Sequence, residues 1–140
     1  MLSTAIPLSG MHVASMRLTT TASNIANVNS DGALPDANGT VPIGAQTVYQ
    51  PVHVQQSSMR LNNGPGSMTV GTVRNVSPSY VAAYDPDATY ANEDGMVATP
   101  NVDMATEMLN LTMAKMDFKL NTITLQTMNA MVDALYELDK

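Results

Sequence analysis

The residues able to do chemistry are few and badly spaced for it. His12 and His53 lie far apart in the sequence, and neither has a histidine, cysteine or carboxylate at helical i+3 or i+4 spacing that would complete a metal site. The densest run of carboxylates is Asp85-Pro-Asp87-Ala-Thr89-Tyr90-Ala-Asn-Glu93-Asp94-Gly95, which resembles a calcium loop only superficially. Tyr90 stands where an EF-hand needs glycine, and Met96 where it needs the bidentate glutamate. It reads as an acidic, solvated loop. A hydrolase built on Asp85, Asp87 or Asp94 would have no nameable substrate. There is no G-x-S-x-G elbow, no S-x-x-K, no phosphate-cradling G-x-x-x-x-G-K and no G-x-G-x-x-G. No catalytic residue, metal site or cofactor is expected, and the chain is not read as an enzyme.

Composition narrows the remaining classes. The 140 residues carry 6 Lys+Arg against 12 Asp+Glu, a formal net charge of −6. That leaves no basic stripe to follow a phosphate backbone, so nucleic acid is not an expected partner. With no cysteine there is no disulfide framework and no thiol nucleophile. The N-terminal stretch lacks a basic n-region and a continuous apolar h-region, so no cleaved secretory signal is expected. The longest uncharged run in the C-terminal part, residues 120–132, is shorter than the ~20 apolar residues a membrane span needs.

What such a chain can do must therefore come from its elements. All eight prolines and all eight glycines lie between Pro7 and Pro100, so Met104 to Lys140 reads as one long helix. Thr99, Pro100 and Asn101 are cap-type residues before it, and Asp103 and Glu107 put negative charge near its N-terminal dipole. At 1.5 Å per residue it would be roughly 55 Å long, too long to bury itself without a long partner. With Met104 as heptad position a, the a and d positions are Met104, Glu107, Leu111, Ala114, Phe118, Asn121, Leu125, Met128, Val132 and Leu135, eight of them apolar. This is a coiled-coil seam. Leu109, Met113, Met116, Leu120 and Ile123 occupy outer positions as well, and a helix apolar on both sides has to be covered on both.

The expected partner is an N-terminal helix over about residues 3–28, with Ile6, Val13 and Met16 at the same spacing. Its second half, Thr19-Thr-Thr-Ala-Ser-Asn-Ile-Ala-Asn27, is made of poor helix formers, so residues 5–27 are expected to be disordered in the isolated chain and to order on packing. Between the helices, Pro35-Asp36 and Asn38-Gly39 mark a turn, and residues 47–54 (TVYQPVHV) read as a strand from the alternation of Val48, Val52 and Val54, confined to an edge or a bulge because Pro51 cannot donate to a ladder. An Asn62-Asn-Gly-Pro-Gly66 turn then leads to a second strand over residues 68–76, with Gly71 marking a bulge. The fold class is α+β, in three segments: residues 1–30 and 100–140 as the two helices of a coiled-coil core, and residues 31–99 as a small β-rich ribbon with long loops. Methionines recur on the C-terminal helix, at Met104, Met108, Met113, Met116, Met128 and Met131, and suit a surface that meets non-identical neighbours.

Thr21-Ala-Ser-Asn24-Ile25-Ala-Asn27 resembles the A-S/N-N-I/L-A-N motif near the N-terminus of bacterial flagellar rod and hook proteins. Residues 41–49 (VPIGAQTVY) are similar to the Y-x-A-x-x-V-x-F strand of the type C proximal rod proteins. Asp94-Gly95-Met-Val97 with Pro100-Asn-Val-Asp103 resembles their A-D-x-x-G-Y-V-x-x-P-N-V-D block. Glu107-Met108, Ala114, Phe118 and Asn121 fall where the family has E-M…A-x-R-x-Y-x-A-N, and Met131 matches a later helix position. The chain departs from that pattern at Met96, Met116, Phe118 and Leu120, where an aromatic, an arginine, a tyrosine and an alanine are usual.

The resemblance implies a non-enzymatic structural subunit of the flagellar basal-body rod. The terminal helices would pair as the inner tube of an axial shaft that carries motor torque to hook and filament. It also implies export through the type III apparatus without a cleaved signal, a place in the rod crossing the periplasm, and contacts with further copies, with rod proteins of types B, F and G and with the rod-base adaptor. The residues expected at the assembly interface are Ile6, Val13, Met16, Asn24, Ile25, Asn27, Met104, Met108, Leu111, Ala114, Phe118, Asn121, Leu125, Met128, Val132 and Leu135. The alternative is a soluble adaptor or chaperone that binds partner helices through its methionine-rich face. Asn121 is either a register-setting polar residue in the seam or a solvent-facing one.

Overall fold

A computed structural model describes residues 4–36, 38–60 and 67–138; the expected turn at residues 62–66 lies outside them. The element order is α1 (Ala5–Ala26), β1 (Gly32–Ala33), β2 (Val52–Arg60), β3 (Ser67–Asn75), β4 (Tyr80–Tyr84), β5 (Met96–Pro100) and α2 (Met104–Leu138). This is an α+β chain, with two long helices and small sheets between them. It divides into two compact units, each drawing on both helices. One comprises residues 1–19, 54–73 and 109–140, the other residues 20–53 and 74–108. Among the described residues no helix is long and apolar enough to cross a membrane.

In the first unit α1 and α2 run antiparallel and in contact. Arg17 Nη1 donates to Asp117 Oδ2 at 2.7 Å, while nearer the start of α1 an added Cβ on Gly10 would come 2.5 Å from Asn121 Oδ1. Glycine at position 10 is the notch that receives the Asn121 side chain. Val13, Ala14 and Ala114 are buried here at 1%, 1% and 0% exposure. β2 pairs with β3. The Ser9 hydroxyl accepts from Thr69 N at 3.1 Å and donates to Ile6 O at 2.7 Å. At Gly71, where a bulge is expected, the structure shows close packing against the helix. A Cβ there would lie 3.0 Å from Val54 Cγ1, 3.3 Å from Met16 Sδ and 3.4 Å from Val13 Cγ1, so glycine lets the helix approach the strand closely.

The second unit holds an antiparallel sheet in the order β1-β5-β4, with Gly32 opposite Ala98 and Tyr84 opposite Met96. Its central strand supplies the core, Val97 at 1% and Ala98 at 0% exposure. β4 and β5 have no counterpart in the sequence expectations, and the acidic run 85–95 is the connection between them. Asn92 Oδ1 accepts from Asp94 N at 3.0 Å and Met96 N at 2.8 Å, and Gly95 sits at φ +72°. Asp85, Asp87, Glu93 and Asp94 are all exposed.

Two boundaries shift for physical reasons. The strand expected over residues 47–54 starts only at Val52, after the buried Pro51, and continues to Arg60. The preceding segment instead backs onto residues 30–33, through Ala33 N to Gln46 O at 2.8 Å and Tyr49 N to Ser30 O at 3.0 Å. At the start of α2, Pro100 is the last residue of β5, and the cap is Asp103, whose carboxylate accepts from Ala105 N at 3.1 Å and from the Thr106 hydroxyl at 2.5 Å. These bonds, the Thr106 hydroxyl first, hold the Asp103 carboxyl below its usual range.

Candidate assembly surface

The A-S-N-I-A-N segment ends α1, and its side chains work on the chain's own backbone. Asn24 is 1% exposed. Its Nδ2 donates to Val52 O at 2.8 Å, and its Oδ1 accepts from Val52 N at 3.1 Å, so one amide closes a two-bond ring with the first residue of β2. That pairing fixes which way the amide points. Nδ2 also donates to Glu107 Oε1 at 3.0 Å, and the Tyr49 hydroxyl donates to Oδ1 at 3.1 Å. Because the phenol has a single proton, Ser23 Oγ, 3.0 Å from it, is the donor in their contact. Asn27 closes the helix end, with Nδ2 on Ser23 O at 2.8 Å and Oδ1 accepting from Ser30 Oγ at 3.1 Å. Within this unit the segment ties α1, α2 and the start of β2 together.

Burial divides the sixteen expected interface residues. Val13, Asn24 and Ala114 are buried inside their units; Met16, Ile25, Asn27, Met104, Leu111, Asn121, Leu125 and Met128 are half-buried. Asn121 faces Gly10, with Nδ2 bonded to Asp117 O at 2.8 Å, so it belongs to the helix contact and not to solvent. Ile6, Met108, Phe118, Val132 and Leu135 are exposed, between 36% and 60%. Phe118 borders an open apolar groove between Leu8, Met11 and His12 of α1 and Met68 to Gly71 of β3.

Over residues 109–138, the exposed side of α2 carries a second apolar stripe. Leu109, Met113, Met116, Leu120 and Ile123 alternate steps of four and three residues, and they are between 47% and 60% exposed. Helical spacing of this kind on a bare face is the pattern a second helix could pack against. Past Met128, every described residue of α2 is exposed, including Met131, Val132, Leu135, Tyr136 and Leu138. Among the described residues no group of three metal-binding side chains occurs. The periodicity of the sequence already marks the outer stripe. The Asn24 ring and the Gly10 notch are hidden from it, because nothing local in a sequence says which backbone a buried amide will meet.

No family model matches the chain. Curated relatives do. It is 30% identical over 129 residues to the flagellar basal-body rod protein FlgC of Escherichia coli O6:H1, covering 89% of this chain and 86% of the relative. The FlgC of Salmonella typhimurium gives the same identity and coverage. That of Aquifex aeolicus is 30% identical over 121 residues, covering 83% of this chain and 79% of the relative.

Proposed function

Since the chain belongs to the FlgC family of flagellar basal-body rod proteins, we propose that it is a structural subunit of the flagellar rod that polymerises through its two helices and performs no catalysis. The observation that carries this reading is the bare apolar side of α2. A 35-residue helix whose residues Leu109, Met113, Met116, Leu120 and Ile123 meet water leaves a large hydrophobic area uncovered in the single chain. Neighbouring subunits covering that side would supply the association energy, and heterologous contacts that do not close would build a tube. Residues 1–30 and 100–140 form the polymer's core in this reading, with residues 31–99 outside it, and interlocked helix seams resist slip when torque passes along the shaft. The neighbours are further copies, rod proteins of types B, F and G and the rod-base adaptor. The subunit reaches its place across the periplasm through the type III export apparatus, without a cleaved signal.

The test is complementation of a strain lacking the chain's own gene. Leu120→Glu and Ile123→Glu sit on the exposed stripe and leave the fold intact, so far-UV circular dichroism of the purified variants stays that of the wild type while swimming and isolated basal-body rods are lost. Normal rods and motility with both substitutions would sink the assignment of this face.

A further inference from the structure

The outer stripe has a charged border with an unusual order. Beyond its first two turns, α2 carries Lys115, Asp117, Lys119, Asp133 and Glu137 among the described residues. Asp117 is taken by Arg17; the other four are not ion-paired to any described residue, and all four are exposed. Lys115 and Lys119 are like charges at i,i+4, as are Asp133 and Glu137, an arrangement that works against the helix carrying it. Each acid follows its lysine by eighteen residues, about five whole helical turns, so the two pairs lie on one line along the helix. That line borders one flank of the stripe, which runs from Met113 and Met116 through Leu120, Ile123, Thr127, whose hydroxyl is bonded to Ile123 O, and Ala130 to Ala134 and Leu138.

We propose that the free subunit covers this face with the same face of a second copy, in an antiparallel two-fold pair whose axis passes beside Gln126. Residues 115 and 137, and residues 119 and 133, are each symmetric about position 126. Each lysine pair then lies against the second copy's acid pair, Lys115 facing Glu137 and Lys119 facing Asp133, twice over. The direction follows from the single charged flank. Antiparallel helices set like flanks together, whereas parallel helices set opposite flanks together and leave the four charges without partners. Gln126 lies on the same line as the charges, at the centre. The contact is isologous and closes on itself, so it hides the stripe from further growth. It is separate from the rod reading, since it concerns the purified chain and not the assembled shaft.

The wild-type chain and three charge variants are compared by sedimentation equilibrium as a function of concentration. The wild type is expected to dimerise, more weakly as salt rises. Lys115→Glu with Lys119→Glu weakens the dimer on the order of a hundredfold, because four attractions become repulsions. Asp133→Lys with Glu137→Lys does the same, and all four changes together restore it. Because the chain has no cysteine, Gln126→Cys and Lys119→Cys report the direction. Oxidation links two copies of the position-126 variant through their new thiols and leaves the position-119 variant unlinked. A monomeric wild type, no rescue in the fourfold variant, or equal linking at both positions would each overturn the proposal. A monomeric wild type together with motility lost in Leu120→Glu would discard the dimer and leave the rod assignment standing.

Discussion

Replacing Asn24 by alanine tests whether the A-S-N-I-A-N segment acts through its buried amide. The substitution removes four hydrogen bonds at once, two to Val52, one to Glu107 and one from Tyr49. At about 1 kcal/mol net per bond, and with the partners partly reachable by water that can replace some of the loss, the expected cost is about 3 kcal/mol. That is a large share of the roughly 5–15 kcal/mol by which a domain is stable. With a urea m-value of about 2 kcal/mol/M, the midpoint falls by about 1.5 M at unchanged m. Far-UV circular dichroism follows the helices, and tyrosine fluorescence follows the network, since there is no tryptophan. Tyr49→Phe removes one bond to Asn24 and one from Ser23, so the two substitutions should couple by about 1 kcal/mol in a double-mutant cycle. Asn24→Asp sharpens the test, because it keeps the shape and turns the donor into an acceptor facing Val52 O and Glu107. The new carboxyl and Glu107 repel when both are ionised. The penalty is therefore absent in acid and grows as the pH rises through the unfolded carboxylate range. A loss under about 1 kcal/mol for Asn24→Ala, or strict additivity with Tyr49→Phe, would refute the reasoning.

Two further perturbations probe the frame around this network. Asp103 caps α2 with a carboxyl held below its usual range by Thr106 and Ala105, so its stabilising effect is present above the unfolded carboxylate pKa and disappears as pH falls through the folded one. Asp103→Asn keeps a capping oxygen, and the stability-against-pH curve should flatten at its acid end, read by thermal melts at stepped pH. Gly32→Ala drives a Cβ into the Thr47–Val48 backbone, whereas at Gly39 the space is open and only φ +77° opposes a side chain. Melting should therefore show a loss of roughly 3 kcal/mol or more at position 32 and about 1 kcal/mol at position 39.

The helices are legible in the sequence because their signals are long and repeated. An uninterrupted stretch after Pro100 with apolar residues at steps of three and four gives α2 its start at Met104, and the same periodicity marks both its covered and its bare sides. The β-rich middle is legible only where alternation is strong. β4 (YVAAY) and β5 (MVATP) are short, and their small alanines carry no alternation. They form a sheet because β5 pairs on both edges, a tertiary fact with no local sign. Pro51 cannot donate, as its type dictates, yet the consequence falls elsewhere than expected: it ends a loop, and the strand begins one residue later, where Asn24 takes the Val52 N–H. Gly71 likewise announces something unusual in the strand, but only the packing shows that Val13, Met16 and Val54 crowd it.

Of the four positions where this chain leaves the pattern of the proteins it resembles, two fall on the bare stripe. Met116 and Leu120, standing where arginine and alanine are usual, are both members of the bare stripe and are 59% and 55% exposed. Phe118, in place of tyrosine, borders the groove between α1 and β3. Each change exchanges a polar or small side chain for a larger or more apolar one, and none of the three is buried within the chain. A buried substitution would answer to the chain's own packing, whereas an exposed apolar one is explained by what covers it. Two of the four departures, Met116 and Leu120, thus lie on the outer face of α2, while Phe118 faces the groove and Met96 lies in β5. At concentrations where the chain is monomeric, restoring arginine at 116 and alanine at 120 should leave the urea midpoint unchanged while weakening whatever association that face makes, because the cost of exposing the stripe is already present in the single chain.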